Sequence, residues 1–275
     1  MLSSFPLRSM HIFDGSGSPV VDVEALEGYC RQLLGDAEVL SHGDLLEYVL
    51  RKIDGLDPDN IKSRLAKEIA SARVTDPFRR NEGGAQQRVF VDYERRMLER
   101  DPPRPTGVLY DGLDLCLAYG TLLAETGIDA NDLVVVITNQ LFGTLEGAES
   151  RYHARVIVFG GPCIVSTTGL VEAPARPREH YLQRQLGLDR IVGREDEQER
   201  WLRTDDPRTT EVLKGYLAQA IFFHLTGDPF CEEKGCRLFN AHWQEDLLFS
   251  QLESGRDFCE RHQEIARSFT GARDG

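Results

Sequence analysis

Residues 206–262 read DPRTTEVLKGYLAQAIFFHLTGDPFCEEKGCRLFNAHWQEDLLFSQLESGRDFCERH. Asp206 stands where an N-cap is expected, and Pro207 suits the first turn of a helix. Gly227 follows the last periodic residue, with Pro229 behind it. Leu213, Tyr216, Leu217, Ala220 and His224 recur three or four apart, so the spacing predicts one long helix that turns them all inward, His224 included. A cysteine cluster follows at once. Four residues separate Cys231 from Cys236, two separate Cys259 from His262, and 22 lie between the pairs. Tetrahedral zinc takes four nitrogen or sulfur donors, and short C-x4-C and C-x2-H hooks each supply two from a tight turn. The pattern points to one structural zinc on Cys231, Cys236, Cys259 and His262, with His242 as the alternative fourth ligand. The competing readings are unrelated thiols or a disulfide across Cys231 and Cys236. Such a site ties two segments together, and its binding energy is folding energy.

The rest of the chain sets the context. At 275 residues it has room for one large domain or two small ones. A net charge of −13 argues against nucleic acid and against an anionic membrane surface, because phosphate binding leans on clustered Lys and Arg. Peptide, protein or small-molecule partners stay open, and oligomeric state is not legible. No segment approaches the ~20 apolar residues that span a bilayer. The opening MLSSFPLRSMHIFDG lacks a signal peptide's apolar core, so the expectation is a cytoplasmic protein. In a reducing compartment, six cysteines point to metal or burial. Cys30, Cys116 and Cys163 lie in apolar patterns and read as buried thiols.

Elements alternate before the long helix. MHIFDG and AEVLSH are strand candidates, and VEALEGYCRQLLG between them is a helix capped by Asp22 and ended by Gly35. Residues 43–105 read as a largely helical insertion: DLLEYVLRKI and DNIKSRLAKEIASARV are helical, with Asp59 capping the second. DPFRRNEGGAQQ is a polar loop or flap, VFVDYERRMLER is ambiguous between helix and strand, and DPPRPTG is a stop. Leu113, Leu115, Cys116, Tyr119 and Leu123 form the inner face of a further helix, and Asp111 and Asp114 read as caps. DLVVVITNQLF is a strand covered on both faces, GTLEGAES is a turn, and YHARVIVFG and CIVSTTGLVEA are strands joined at Gly160-Gly161-Pro162. RPREHYLQRQLG and the charged REDEQERWL are helices. The expectation is an α/β fold: a mixed, twisted sheet with packed helices, one domain over residues 1–275, the insertion at 43–105 and a zinc subdomain at 228–265. Gly160-Gly161 lacks the Lys-Ser/Thr of a phosphate loop, and Ser166-Thr167-Thr168 lacks a nucleophile elbow. His153, His180, His224, His242 and Glu211 are the groups from which a displaced metal site would have to be built.

The window from Ala220 to Cys231, AIFFHLTGDPFC, resembles the zinc motif of the archaemetzincins, zinc metallopeptidases with an uncharacterised archaeal branch. That motif is His-Glu-x-x-His-x-x-Gly-x-x-His-Cys. His224 falls on its second histidine, Gly227 on the glycine and Cys231 on the cysteine. Cys236 matches the next cysteine, Leu238 takes the place of a methionine, and Cys259 with His262 matches the last pair. The resemblance covers residues 106–262 and the first 42, and leaves the insertion out. It implies a metzincin-like sheet and a structural zinc. It also implies lost catalysis. Ala220 replaces the first zinc histidine, Ile221 the general-base glutamate and Phe230 the third histidine, so only His224 is left as a remnant. A metzincin zinc needs three histidines and a carboxylate that takes the proton from its water. The resemblance thus implies a metallopeptidase relative without activity. The alternatives are a metallohydrolase with a site rebuilt around His224, and a zinc-stabilised module that binds peptide or protein.

Overall fold

The computed structural model describes residues 7–53, 55, 57–80, 88–100, 107–146, 151–186 and 200–270. The chain divides into two compact units, Met1–Ser18 with Ala37–Gly169, and Pro19–Asp36 with Leu170–Gly275.

The first unit is mixed α/β. Strand β1 (Ser9–Gly15) runs parallel to β2 (Glu38–His42) on one side and to β4 (Leu133–Thr138) on the other, with Met10 opposite both Val39 and Leu133. Strand β8 (Cys163–Ser166) adds in parallel to β4, and β7 (Ile157–Val158) closes the edge as an antiparallel partner of β8. The order is β2-β1-β4-β8-β7, a mixed sheet with a hairpin edge, as the glycine-proline turn implies. Every residue of β4 is buried, which its unbroken apolar run requires. A second sheet holds β3 (Leu109–Asp111) parallel to β5 (Leu141–Glu146), with β6 (Arg151–Arg155) antiparallel to β5.

Several boundaries differ from those expected. The run DLVVVITNQLF is two strands in two sheets, and GTLE continues the second of them. The Thr138 hydroxyl accepts the Gln140 N–H at 3.2 Å, a local turn that ends β4. YHARVIVFG likewise splits into β6 and β7, with Val156 between them accepting the Ser166 N–H at 2.8 Å. CIVSTTGLVEA is strand only to Ser166, and Thr167–Glu172 form helix α6. Three consecutive hydroxyls cause the change. Ser166 donates to the Gln140 carbonyl at 2.7 Å, Thr167 to that of Thr138 at 3.3 Å and Thr168 to that of Asn139 at 2.6 Å. Ser166 Oγ also accepts the Gly169 N–H at 2.7 Å, the bond an N-cap makes.

Helices α2 (Leu45–Lys52), α3 (Pro58–Ser71), α4 (Arg88–Leu98) and α5 (Gly112–Ala124) cover the first unit's core. The ambiguous VFVDYERRML is therefore helical. Asp57, not Asp59, caps α3, because Pro58 with its fixed φ occupies the first turn. Asp59 instead meets Arg95 of α4 at 3.0 Å. Asp111 caps α5, accepting the Leu113 and Asp114 amides. Leu113 does not face inward but is 56 % exposed. The inner position belongs to Gly112, where a Cβ would come within 2.7 Å of the Val158 side chain. Cys116 and Cys163 are buried free thiols, as expected.

The second unit is helical. Helix α1 (Val23–Leu34) is capped by Asp22, which accepts the Ala25 N–H at 3.0 Å, and it ends at Gly35 with φ 63°. It buries Leu26, Cys30, Leu33 and Leu34. Helix α7 spans Arg178–Gln185, and the long helix α8 spans Thr209–Thr226. Asp206 does not cap α8. Its carboxylate, 1 % exposed, accepts the Arg208 N–H at 3.0 Å and the Arg208 guanidinium at 2.9 Å, forming a turn that delays the helix to Thr209. Gly227 ends it with φ 76°. Helix α9 (Gln244–Leu248) runs into one π turn (Phe249–Glu253), and α10 (Glu260–Thr270) closes the unit. Gly215 on α8 lets the buried Gln251 approach, since a Cβ there would overlap the Gln251 amide. Most of the expected polar loop (residues 81–87), the proline stop (101–106), the end of GTLEGAES (147–150) and most of the charged REDEQERWL (194–199) lie outside the described residues. Among the described residues, no helix is long and apolar enough to cross a membrane.

Candidate metal centre

The loop after α8 folds back on itself. The Cys231 N–H donates to Leu238 O at 2.9 Å, the Phe239 N–H to Cys236 O at 2.9 Å and the Cys236 N–H to Glu233 O at 3.0 Å. These bonds hold the two thiols on one side of a tight hook. Two more amides serve sulfur directly in Cys236, those of Leu238 and Cys259, and the Glu233 N–H donates to Cys231 Sγ at 3.3 Å. N–H donors aimed at sulfur favour the thiolate.

The second hook is a helix start. Cys259 immediately precedes α10, and His262 lies in its first turn. Arg237, which follows Cys236, joins the hooks. Its N–H donates to Asp257 O at 2.8 Å and its Nε to Asp257 Oδ1 at 2.6 Å. The same guanidinium pairs with Glu211 on α8 and lies 5.5 Å from the Tyr29 ring centroid on α1. Sequence reasoning passed over Arg237, because nothing in the sequence sets it apart from Arg256, the other guanidinium between the two hooks.

The four side chains converge. Cys231 Sγ is 3.8 Å from Cys259 Sγ, Cys236 Sγ is 3.8 Å from His262 Nδ1, and Cys259 Sγ is 3.1 Å from the same nitrogen. One donor atom from each residue lies within 4.8 Å of all the others. Cys236, Cys259 and His262 are buried at 0 %, 1 % and 2 % exposure, and Cys231 is partly buried. Zinc with sulfur at ~2.3 Å in a tetrahedron sets sulfurs about 3.7 Å apart, so the cluster fits a tetrahedral ion. All six cysteines are free, which removes the disulfide reading. Burial pushes the Cys236 thiol up to about 12, raises that of Cys231 and lowers the His262 imidazole. A bound dication inverts that logic, deprotonating coordinating thiols outright.

The sequence matches, over residues 11–265, the model of a family described as a family of unknown function (DUF7001). The chain belongs to that family. No curated protein matches it. Among solved structures it is similar to the crystal structure of archaemetzincin from Methanopyrus kandleri, at 12 % identity over 98 % of each chain and a TM-score of 0.43.

In this family member the other expected site residues are not among the four converging side chains. His224 does not point inward. Leu213, Tyr216, Leu217 and Ala220 are buried, but one turn later the helix surfaces and His224 is exposed. Ala220 and Ile221 are 0 % exposed and pack as core. Phe230 is 37 % exposed. His242 is exposed and is not one of the four converging side chains; the fourth is His262. His180 lies against Trp201 and Tyr181, Glu211 pairs with Lys214 and Arg237, and His153 is 4.0 Å from Glu146 in the first unit. Among the described residues, no other set of three or more His, Cys, Asp or Glu converges closely enough to hold an ion.

Proposed function

We propose that this chain is a zinc protein whose metal is structural, and that it is a metallopeptidase relative whose hydrolytic centre has been replaced by hydrocarbon. The observation that carries the reading is the closed Cys231, Cys236, Cys259 and His262 set. Catalytic zinc keeps one position open for water and uses three protein ligands, whereas four protein donors saturate a tetrahedral ion. The role left to such a set is mechanical. It joins the hook after α8 to the start of α10, while the Arg237 bonds to Asp257 and Glu211 tie the same segments from the side.

The loss of hydrolysis rests on α8. Positions that carry a zinc histidine and a general base in the archaemetzincin motif hold Ala220 and Ile221, which offer neither a ligand nor a proton acceptor. The function left to the chain is binding, with peptide or protein as partner, in a reducing cytoplasm that keeps the thiols available for metal.

A peptide-library digestion with added zinc tests this reading. The expected result is no cleavage above the protein-free blank. Turnover that disappears in His224→Ala would establish a working centre around that residue instead.

A further inference from the structure

We propose that Cys231 is a peroxide-reactive thiolate whose oxidation links it to Cys259, 3.8 Å away, so that a disulfide replaces the metal as the tie between the two hooks. The inference rests on the structural-zinc reading above and adds a chemical step to the same four side chains.

Access selects the residue. Five of the six cysteines are buried, and Cys231 alone is partly exposed. It stands between the partly exposed Phe230 and the exposed Glu232, at the mouth of the first hook. A small solute therefore meets this residue before any other cysteine. Reactivity toward a hydroperoxide follows thiolate character together with access. A bound dication keeps a coordinating sulfur deprotonated, so the exposed residue carries the reactive form. Outside the cluster, burial pushes the Cys30 thiol up to about 12 and that of Cys163 up to about 11, and raises that of Cys116. Those three are shielded and protonated.

Geometry selects the partner. Cys259 Sγ faces Cys231 Sγ at 3.8 Å, and a disulfide closes such a gap to about 2.05 Å. The remaining sulfur, Cys236, is fully buried and already accepts the amides of Leu238 and Cys259. The reaction has two steps. The Cys231 thiolate attacks one oxygen of the hydroperoxide: an S–O bond forms, the O–O bond breaks, and hydroxide leaves a sulfenic acid behind. The Cys259 thiolate then attacks the Cys231 sulfur: the S–S bond forms, the S–O bond breaks, and a second hydroxide leaves. The two sulfurs lose two electrons, the hydroperoxide gains them, and both hydroxides take protons from water.

The consequence follows from which residues are joined. Oxidation consumes two of four donors, and Cys236 with His262 is too small a set to hold a tetrahedral ion. The new bond nevertheless runs between the same segments as the metal, from the hook after α8 to the start of α10. It closes a separation of 28 residues, which constrains the unfolded chain and so favours the folded one. A link within the first hook, Cys231 to Cys236, would leave the two segments untied. The second unit therefore keeps its fold while it gives up its metal.

The test treats the full chain with hydrogen peroxide after its zinc has been counted. A chromogenic chelator reads released metal, and mass spectrometry of the non-reduced digest identifies the linked cysteines. The expected result is one zinc released for each Cys231–Cys259 link, with Cys30, Cys116 and Cys163 still reduced. The oxidised chain should unfold at a higher denaturant concentration than the reduced chain stripped by a chelator. Cys231→His keeps a zinc donor but has no sulfur to oxidise at that position. It is expected to slow peroxide-driven release by about tenfold or more. The mapping on the native chain decides the matter even if that variant misfolds. A chain without zinc before treatment overturns the metal reading and this proposal together. With zinc present at the start, four results overturn this proposal alone: metal that stays bound, a link other than Cys231–Cys259, an oxidised chain no more stable than the stripped one, or release at the native rate in Cys231→His.

Discussion

Cys259→Ser is expected to release zinc and to unfold the second unit at temperatures where the native protein is stable. Cys259 lies where both hooks meet: its sulfur is 3.8 Å from Cys231 Sγ and 3.1 Å from His262 Nδ1, and its amide serves Cys236 Sγ. Serine keeps the shape but is a poor ligand for a soft, sulfur-rich site. Structural zinc sites bind with about 10–16 kcal/mol in small domains, and that energy is folding energy. The loss should be on the order of 5 kcal/mol or more, because three remaining donors hold the ion poorly. Denaturant unfolding followed by near-ultraviolet circular dichroism, with a chromogenic chelator in solution, reads stability and released metal together. A chelator should lower the stability of the native chain toward that of the variant and leave the variant unchanged. A variant as stable as the native protein would show that the cluster does not hold the fold.

The second large effect is expected from Phe222→Ala. Phe222 is 1 % exposed on α8, and its ring contacts Phe258 at 5.4 Å, Phe269 at 5.0 Å and the His262 imidazole at 5.6 Å between centroids. It is the apolar counterpart of the proposed metal tie, filling the space between α8 and the helix that carries His262. Removing a buried phenyl ring costs about 3–5 kcal/mol, part transfer and part cavity. The exposed Phe249→Ala, at 42 % exposure, should cost no more than about 0.5 kcal/mol. Because Phe222 touches the His262 ring, its effect should also fall in the zinc-free protein, as expected of groups that share a partner. Equal losses with and without metal would mean that packing and metal act independently.

Much of this architecture is legible from residue patterns. The apolar run at Leu133–Thr138, the glycine-proline turn, the caps Asp22 and Asp111, and the stop at Gly227 each announce one element, and each element is there. The convergence of Cys231, Cys236, Cys259 and His262 is legible because their spacing is a covalent constraint, and all four side chains come from two short hooks. What could not be read depends on partners distant in sequence. Ser166, Thr167 and Thr168 end a strand by bonding carbonyls about 28 residues earlier, counted from their bonds to Thr138, Asn139 and Gln140. Leu113 fits a helical stripe, but a glycine marks the true inner face because Val158 leaves no room for a side chain. His224 fits the stripe of α8 equally well, and periodicity carries no sign of where a helix emerges from its core. The role of Arg237 depends on tertiary convergence, which spacing does not encode.

X-ray absorption at the zinc edge, made on the purified chain with its metal counted, tests the central claim most directly. The account predicts one zinc per chain with three sulfurs at about 2.3 Å and one nitrogen at about 2.0–2.1 Å. A folded protein that holds no zinc and ignores chelators would contradict it, and so would a first shell of nitrogen and oxygen with an open water position.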